Sequence, residues 1–196
     1  MLVYRVFAYD PAALPGQPGH PEYMHPQSGK GRLDNPDLYD VWYVALQPEA
    51  AVGETFYGFA AWSSSMLEVP FLPNGRRVLG VYRINDSLPY LDLDDARNLL
   101  DNGLRPSQVV GRQRSVSQEW ARRIFGERSH SGQRKYAGVR WWSLQRPHWT
   151  IFGFWVGHRE AMPLEFVRCD PLTMDHPAVL DAIESLGKIA DYEPAP

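Results

Sequence analysis

The amino-acid sequence predicts an α+β fold, a compact mixed β-sheet flanked by helices. Three observations lead there. Strand-like and helix-like runs do not alternate strictly, which argues against a doubly wound parallel sheet. Hydrophobic residues make up 44% of the chain and aromatic residues 13%, ample material for a core. The length of 196 residues suits one domain. A single domain over residues 1–190 is expected, with Asp191 to Pro196 as a disordered tail.

Leu2 to Tyr9 reads as a first strand, with Arg5 unusually placed in its middle. Asp10 to Gln27 holds five Pro and two Gly and reads as a long loop. Asp40 to Leu46 is apolar on both faces, as a central strand would be. Pro48 suits the first turn of a helix, and Val52, Phe56, Phe59 and Ala60 are spaced for its buried face. Gly53 weakens that helix and is best tolerated where a ligand or another backbone comes close. Ser63 to Gly75 reads as a loop and Arg76 to Ile84 as a strand.

Leu93 to Asn102 predicts a short helix with Leu93, Ala96, Leu99 and Leu100 inward, stopped by Gly103. A better helix spans Ser115 to Phe125, with Ser115 and Gln118 as a capping box. Its apolar face is Val116, Trp120, Ala121, Ile124 and Phe125. Glu127 to Lys135 is a polar loop. Strands are expected over Tyr136 to Trp142, Thr150 to Val156 and Pro163 to Cys169. Asp175, His176 and Pro177 open a last helix with Val179, Leu180, Ile183 and Leu186 as its buried stripe.

The net charge of −3 is unevenly placed. Arg105 to Arg146 carries ten Arg and Lys against two Glu, a net +8, and the remainder carries ten against twenty-one, a net −11. A basic middle with acidic flanks can serve nucleic acid, a phosphate-bearing ligand or an acidic protein partner, or the two parts can pair with each other. No nucleic-acid signature accompanies it, so nucleic acid is not an expected partner. The one cysteine, Cys169, gives no disulfide framework and reads as an inert thiol, which fits a reducing, cytoplasmic setting. The N-terminus lacks the basic region of a signal peptide, and no apolar run is long enough for a membrane helix. His20 and His25 lack an accompanying Cys or carboxylate cluster, so no metal is expected. Phosphate-binding P-loop, dinucleotide-binding glycine and nucleophile-elbow motifs are all absent.

The stretch Gly29 to Trp62 concentrates the chemistry. It holds Arg32 in a Gly-rich basic turn, Tyr39 and Tyr43 near a strand, and Glu54 in a helix. An arginine is a fixed-charge fork for phosphate. A carboxylate can stabilise a cationic centre or orient a nucleophile. The same residues also allow a plainer reading, a turn arginine in a surface salt bridge and a glutamate on a solvated helix face. Ser143 ends an apolar strand, where a hydroxyl can face a cleft or serve a turn. Seven Trp is a high count, and an exposed one among Trp141, Trp142 and Trp149 could serve an interface.

With Arg32, Glu54 and Ser143 in this order, the chain resembles the RES domain family, toxin components of bacterial toxin–antitoxin pairs. The resemblance is carried by LVYRVF, GKGRLDNP, LYDVWYVAL, AVGETF, YAGVRWWSLQRP and TIFGFW. Leu33 stands where the family has Trp, and Asp34 precedes Asn35. The resemblance implies a fold similar to ADP-ribosyltransferase toxins and NAD as the substrate, cleaved at its nicotinamide–ribose bond. The outcome would be hydrolysis, phosphorolysis or transfer of ADP-ribose to a protein. By the same resemblance, Arg32 holds the diphosphate with Arg5 as helper. Tyr43 stacks on nicotinamide or the ribose face, with Tyr39 as its rival. Ser143 bonds a ribose hydroxyl or positions Glu54, and Glu54 stabilises the ribosyl cation. An antitoxin is the implied protein partner. The alternative is a catalytically inactive RES-like module that binds a nucleotide or a protein.

Overall fold

A computed structural model describes residues 1–85, 87–157, 160 and 162–191. All but the first residue of the expected disordered tail lies outside them. The contacts group the chain into two units, each built from separated segments. The first comprises Met1, Met24–Val44 and Ile84–Leu164; the second comprises Leu2–Tyr23, Ala45–Arg83 and the segment from Glu165 onward. The structure is mixed α+β, as the sequence predicts.

In the second unit, strand β1 (Leu2–Tyr9) runs antiparallel to β4 (Arg76–Ile84) along its whole length, from Leu2 opposite Arg83 to Tyr9 opposite Arg76. Strand β8 (Leu164–Pro171) lies beyond β4. Strand β2 (Asp40–Ala45) belongs to the first unit up to Val44, and its last residue, Ala45, stands opposite Tyr4 in the second. Helix α1 (Pro48–Phe56) starts with Pro48 in its first turn, where a missing N–H costs nothing. It packs on β1 and on α5 (Pro177–Leu186). The His176 ring caps α5 by accepting from Ala178 N at 3.2 Å, and Gly187 ends it at a left-handed φ of 62°. Strand β3 (Ala61–Trp62) pairs in parallel with β9 (Ile189–Ala190).

In the first unit the strand order is β5 (Tyr90–Asp92), β6 (Gly138–Trp142), β7 (Thr150–Val156), β2. β5 and β6 are parallel, whereas β6 and β7 are antiparallel with Trp142 opposite Thr150. Every residue of β7 is buried, as its unbroken apolar run requires. Three helices complete the unit: α2 (Ala96–Asp101), α3 (Pro106–Val110) and α4 (Arg114–Phe125).

Several expectations are corrected. α1 stops at Phe56, which leaves Phe59 49% exposed beyond its end. Leu100 and Leu180 are exposed, each adjacent to a buried helix position, Leu99 and Val179, and so turned about 100° off the apolar face. Ala96 is exposed as well. The N-cap of α4 is Gln113, not Ser115, and Gln118 is used elsewhere. Glu127 to Lys135 is an ordered turn closed by Ser129 N to Gln133 O at 2.8 Å and Lys135 N to Glu127 O at 3.0 Å. Six of the seven tryptophans are buried and only Trp142 is part-exposed.

Four of the ten basic residues in the middle of the sequence pair with acids inside the first unit. Arg122 pairs with Asp37, Arg134 with Glu160, Lys135 with Glu127, and Arg140 with Asp92 and Asp94. Among the described residues, no helix is long and apolar enough to cross a membrane.

Candidate functional site

The loop from Gly29 to Asp37 is fixed on three sides within the first unit. Its own turn is closed by the carboxylate of Asp34, whose Oδ2 accepts from Gly31 N at 2.8 Å. The Asp34 Oδ1 accepts from the Tyr43 hydroxyl at 2.8 Å, and that hydroxyl accepts in turn from Leu33 N at 2.8 Å. Gly31 is required here, because a Cβ would lie 2.2 Å from Asp34 Oδ1 and 2.7 Å from the Tyr43 hydroxyl. Helix α4 holds the loop from a second side. Gln118 Nε2 donates to Gly29 O at 2.8 Å and to Gly31 O at 2.9 Å. One turn further along α4, Arg122 Nη2 donates to both oxygens of Asp37 at 2.9 Å, and Nε donates to Asn35 Oδ1 at 3.2 Å.

Arg32 supplies the third attachment. It is 9% exposed, and Nη1 donates to Val109 O and, at 3.0 Å, to Gly111 O. Nη2 reaches Val110 O at 3.4 Å. A guanidinium among the last carbonyls of α3 satisfies acceptors that a helix end leaves open and sits at the negative end of the helix dipole. Arg32 is therefore a largely buried brace on the end of α3 in this structure.

The two tyrosines separate. Tyr39 is fully enclosed: its ring centroid lies 4.4 Å from that of Phe125 and 5.9 Å from that of Trp155. Its hydroxyl donates to Leu33 O at 2.8 Å and accepts from Asn35 Nδ2 at 2.7 Å. Burial pushes the Tyr39 phenol up to about 12. A ring enclosed on all sides has no face left for a ligand, so Tyr39 is a core residue. Tyr43 keeps partial exposure and meets Trp141 edge to face at 6.5 Å. Burial first, then the neighbouring Asp34 charge, holds its phenol well above the ordinary value.

Leu33 is 0% exposed and faces Gly153 of β7, where an added Cβ would stand 2.3 Å from Leu33 Cδ1. The residue at this position is thus core packing. Ser143 follows β6 and is 2% exposed. Its Oγ accepts from Gln145 N at 2.9 Å and Arg146 N at 3.3 Å, and its own N–H donates to Trp149 O at 2.8 Å. That is the local hydroxyl turn that serine favours after a strand.

Glu54 and Arg5 belong to the second unit. Glu54 is half-buried in α1, next to the buried Gly53. Arg5 lies in β1 opposite Gly80, on the face that also carries the buried Val3 and Phe7. Burial draws its guanidinium below the ordinary value, with the nearby Tyr82 acting in the opposite sense. His20 uses its Nδ1 to accept from Glu22 N at 3.2 Å, a local turn contact. In the sequence Asp34 stands out only by preceding Asn35, and Gln118 as a cap; in the structure both hold the arginine loop. The Asp34 to Tyr43 contact spans nine residues and the Gln118 to Gly31 contact eighty-seven, and no local pattern records either.

The RES domain model matches residues 2–175, so the chain belongs to the RES domain family. In structure it is similar to a chain of the M. tuberculosis MbcT–MbcA toxin–antitoxin complex, with a TM-score of 0.56 and 15% identity over 95% of this chain and 89% of that one. At that identity the likeness concerns the fold. No curated protein sequence matches the chain.

Proposed function

We propose that this chain is the toxin of a toxin–antitoxin pair and consumes NAD by breaking its nicotinamide–ribose bond. The observation that carries the reading is the RES domain match over residues 2–175, a span that includes Arg32, Tyr43, Glu54 and Ser143. The structural likeness to a chain of a toxin–antitoxin complex supports an antitoxin as the protein partner.

In this reading the glycosidic electron pair leaves with nicotinamide, and positive charge develops on the ribose. The Glu54 carboxylate stabilises that charge and orients the incoming acceptor, which loses its proton as it bonds the ribose carbon. The acceptor is water, phosphate or a protein side chain. Tyr43 offers an aromatic surface to the nicotinamide or ribose face. Ser143 bonds a ribose hydroxyl or positions Glu54. Arg32 contributes charge toward the diphosphate while its Nη atoms hold the end of α3, and Arg5 assists. Tyr39 serves the core and not the substrate.

A second reading is a module that binds a nucleotide without turnover. It is favoured by the engagement of Arg32 with three backbone carbonyls. Purified protein incubated with NAD, with and without phosphate or lysate, separates the two when nicotinamide is followed by mass spectrometry. Release that the Glu54→Ala variant abolishes is the expected result. No release under any of these conditions, with NAD still bound, would leave only the second reading.

A further inference from the structure

We infer that Asp34 is a positioning residue, which holds the Tyr43 ring by its hydroxyl and ties it to the turn that carries Arg32. Its geometry stands by itself; its consequence for substrate rests on the NAD reading above. Asp34 is 4% exposed, and a carboxylate so enclosed must be met by donors. Two donors meet it, Gly31 N and the Tyr43 hydroxyl, each at 2.8 Å.

A phenol has one hydrogen. Asp34 takes it, so the hydroxyl oxygen is left to accept, and it accepts from Leu33 N. The tip of Tyr43 is thereby fixed by two bonds of opposite polarity, and its ring is set against Trp141. One carboxylate joins the residue before Arg32 to Tyr43, and Tyr43 closes the circuit on the residue after Arg32.

Asp34→Asn keeps the shape but cannot accept from both donors, because its amide nitrogen carries hydrogens. Tyr43→Phe removes the hydroxyl alone and leaves the Asp34 to Gly31 bond. The expected result is a rise of about tenfold in the KM for NAD in each variant, the scale of one charge-assisted hydrogen bond, with kcat little changed. The double variant should match Tyr43→Phe, because both changes break the same contact. Folded Asp34→Asn with the KM of the original protein overturns the inference, as do effects that multiply in the double variant. If Asp34→Asn does not fold, Tyr43→Phe decides alone: an unchanged KM overturns it and a raised one supports it. If the original protein releases no nicotinamide, the NAD reading fails, and the brace is read instead from the 13Cζ resonance of Tyr43. A shift of that resonance and an earlier alkaline titration in Asp34→Asn support the brace; no change in either overturns it.

Discussion

The side-chain amide of Gln118 donates to the carbonyl of Gly31 at 2.9 Å, across eighty-seven residues of sequence. The same nitrogen holds Gly29 O, so one glutamine on α4 fixes both glycines that flank Lys30. Gln118→Ala should cost about 1 kcal/mol, the net scale of neutral hydrogen bonds, and lower Tm by roughly 2–4 °C. Amide exchange should accelerate at residues 29–33 while β6 and β7 stay protected. Unchanged exchange in the loop would contradict the clamp.

Arg32→Lys tests the brace on α3. A lysine ammonium cannot present the planar fork that meets Val109, Val110 and Gly111 together. The expected result is a loss of about 1–3 kcal/mol of stability, from buried carbonyls left without donors. Denaturant unfolding measures it. A variant as stable as the original protein would show that these carbonyls find other partners.

Leu33 and Gly153 should behave as a coupled pair. Gly153→Ala brings a methyl to 2.3 Å from Leu33 Cδ1 and is expected to cost about 1–3 kcal/mol by overpacking. Leu33→Ala should cost about 2–5 kcal/mol through the cavity it leaves. The double variant should lose less than the sum, since the new methyl enters vacated space. Additive losses would mean that the two side chains do not share that space.

Glu54→Gln keeps the size of the side chain in α1 and removes its charge. Under the proposed chemistry, turnover of NAD should fall by about 10²–10³-fold, the range seen when one charge-stabilising group is removed. Thermal stability should change little, because the residue is only half-buried. Retained turnover would exclude Glu54 from the reaction.

Alkali should unfold the protein steeply. The folded Tyr39 phenol titrates at about 12, above the unfolded value near 10. Between those values the unfolded chain loses its proton and the folded chain keeps it. Stability is therefore fully present below pH 10 and falls by about 1.4 kcal/mol per pH unit from this group up to pH 12. Tyr39→Phe should be less stable than the original protein at pH 7, having lost the bonds to Leu33 and Asn35, yet decline less between pH 10 and 12. Parallel decline in both proteins would remove Tyr39 as the cause.

The strands were legible wherever an apolar run was long. β1, β4 and β7 fall on the residues that alternation or unbroken hydrophobicity indicates. β3, β5 and β9 have two or three residues each, too few to show a period, and α3 has five. The exposed Leu100 and Leu180 show the limit of reading one helix face from composition alone. Arg32, Glu54 and Ser143 could be singled out by residue type and order. That Arg32 is a brace, Tyr39 a core ring and Asp34 a tie depended on partners that lie nearby only after folding.

Both units are assembled from pieces separated along the chain, the first being complete only when Leu164 has been made and the second only after Glu165 follows. A ribosome that stalls after residue 83 has released much of the second unit but just twenty-one residues of the first beyond Met1. Synthesis cut short before Leu164, or a single cleavage between residues 2 and 164 followed by separation of the fragments, leaves no piece with a whole unit. For a chain whose proposed activity would harm the cell that makes it, this ordering leaves both units incomplete until Leu164 has been made.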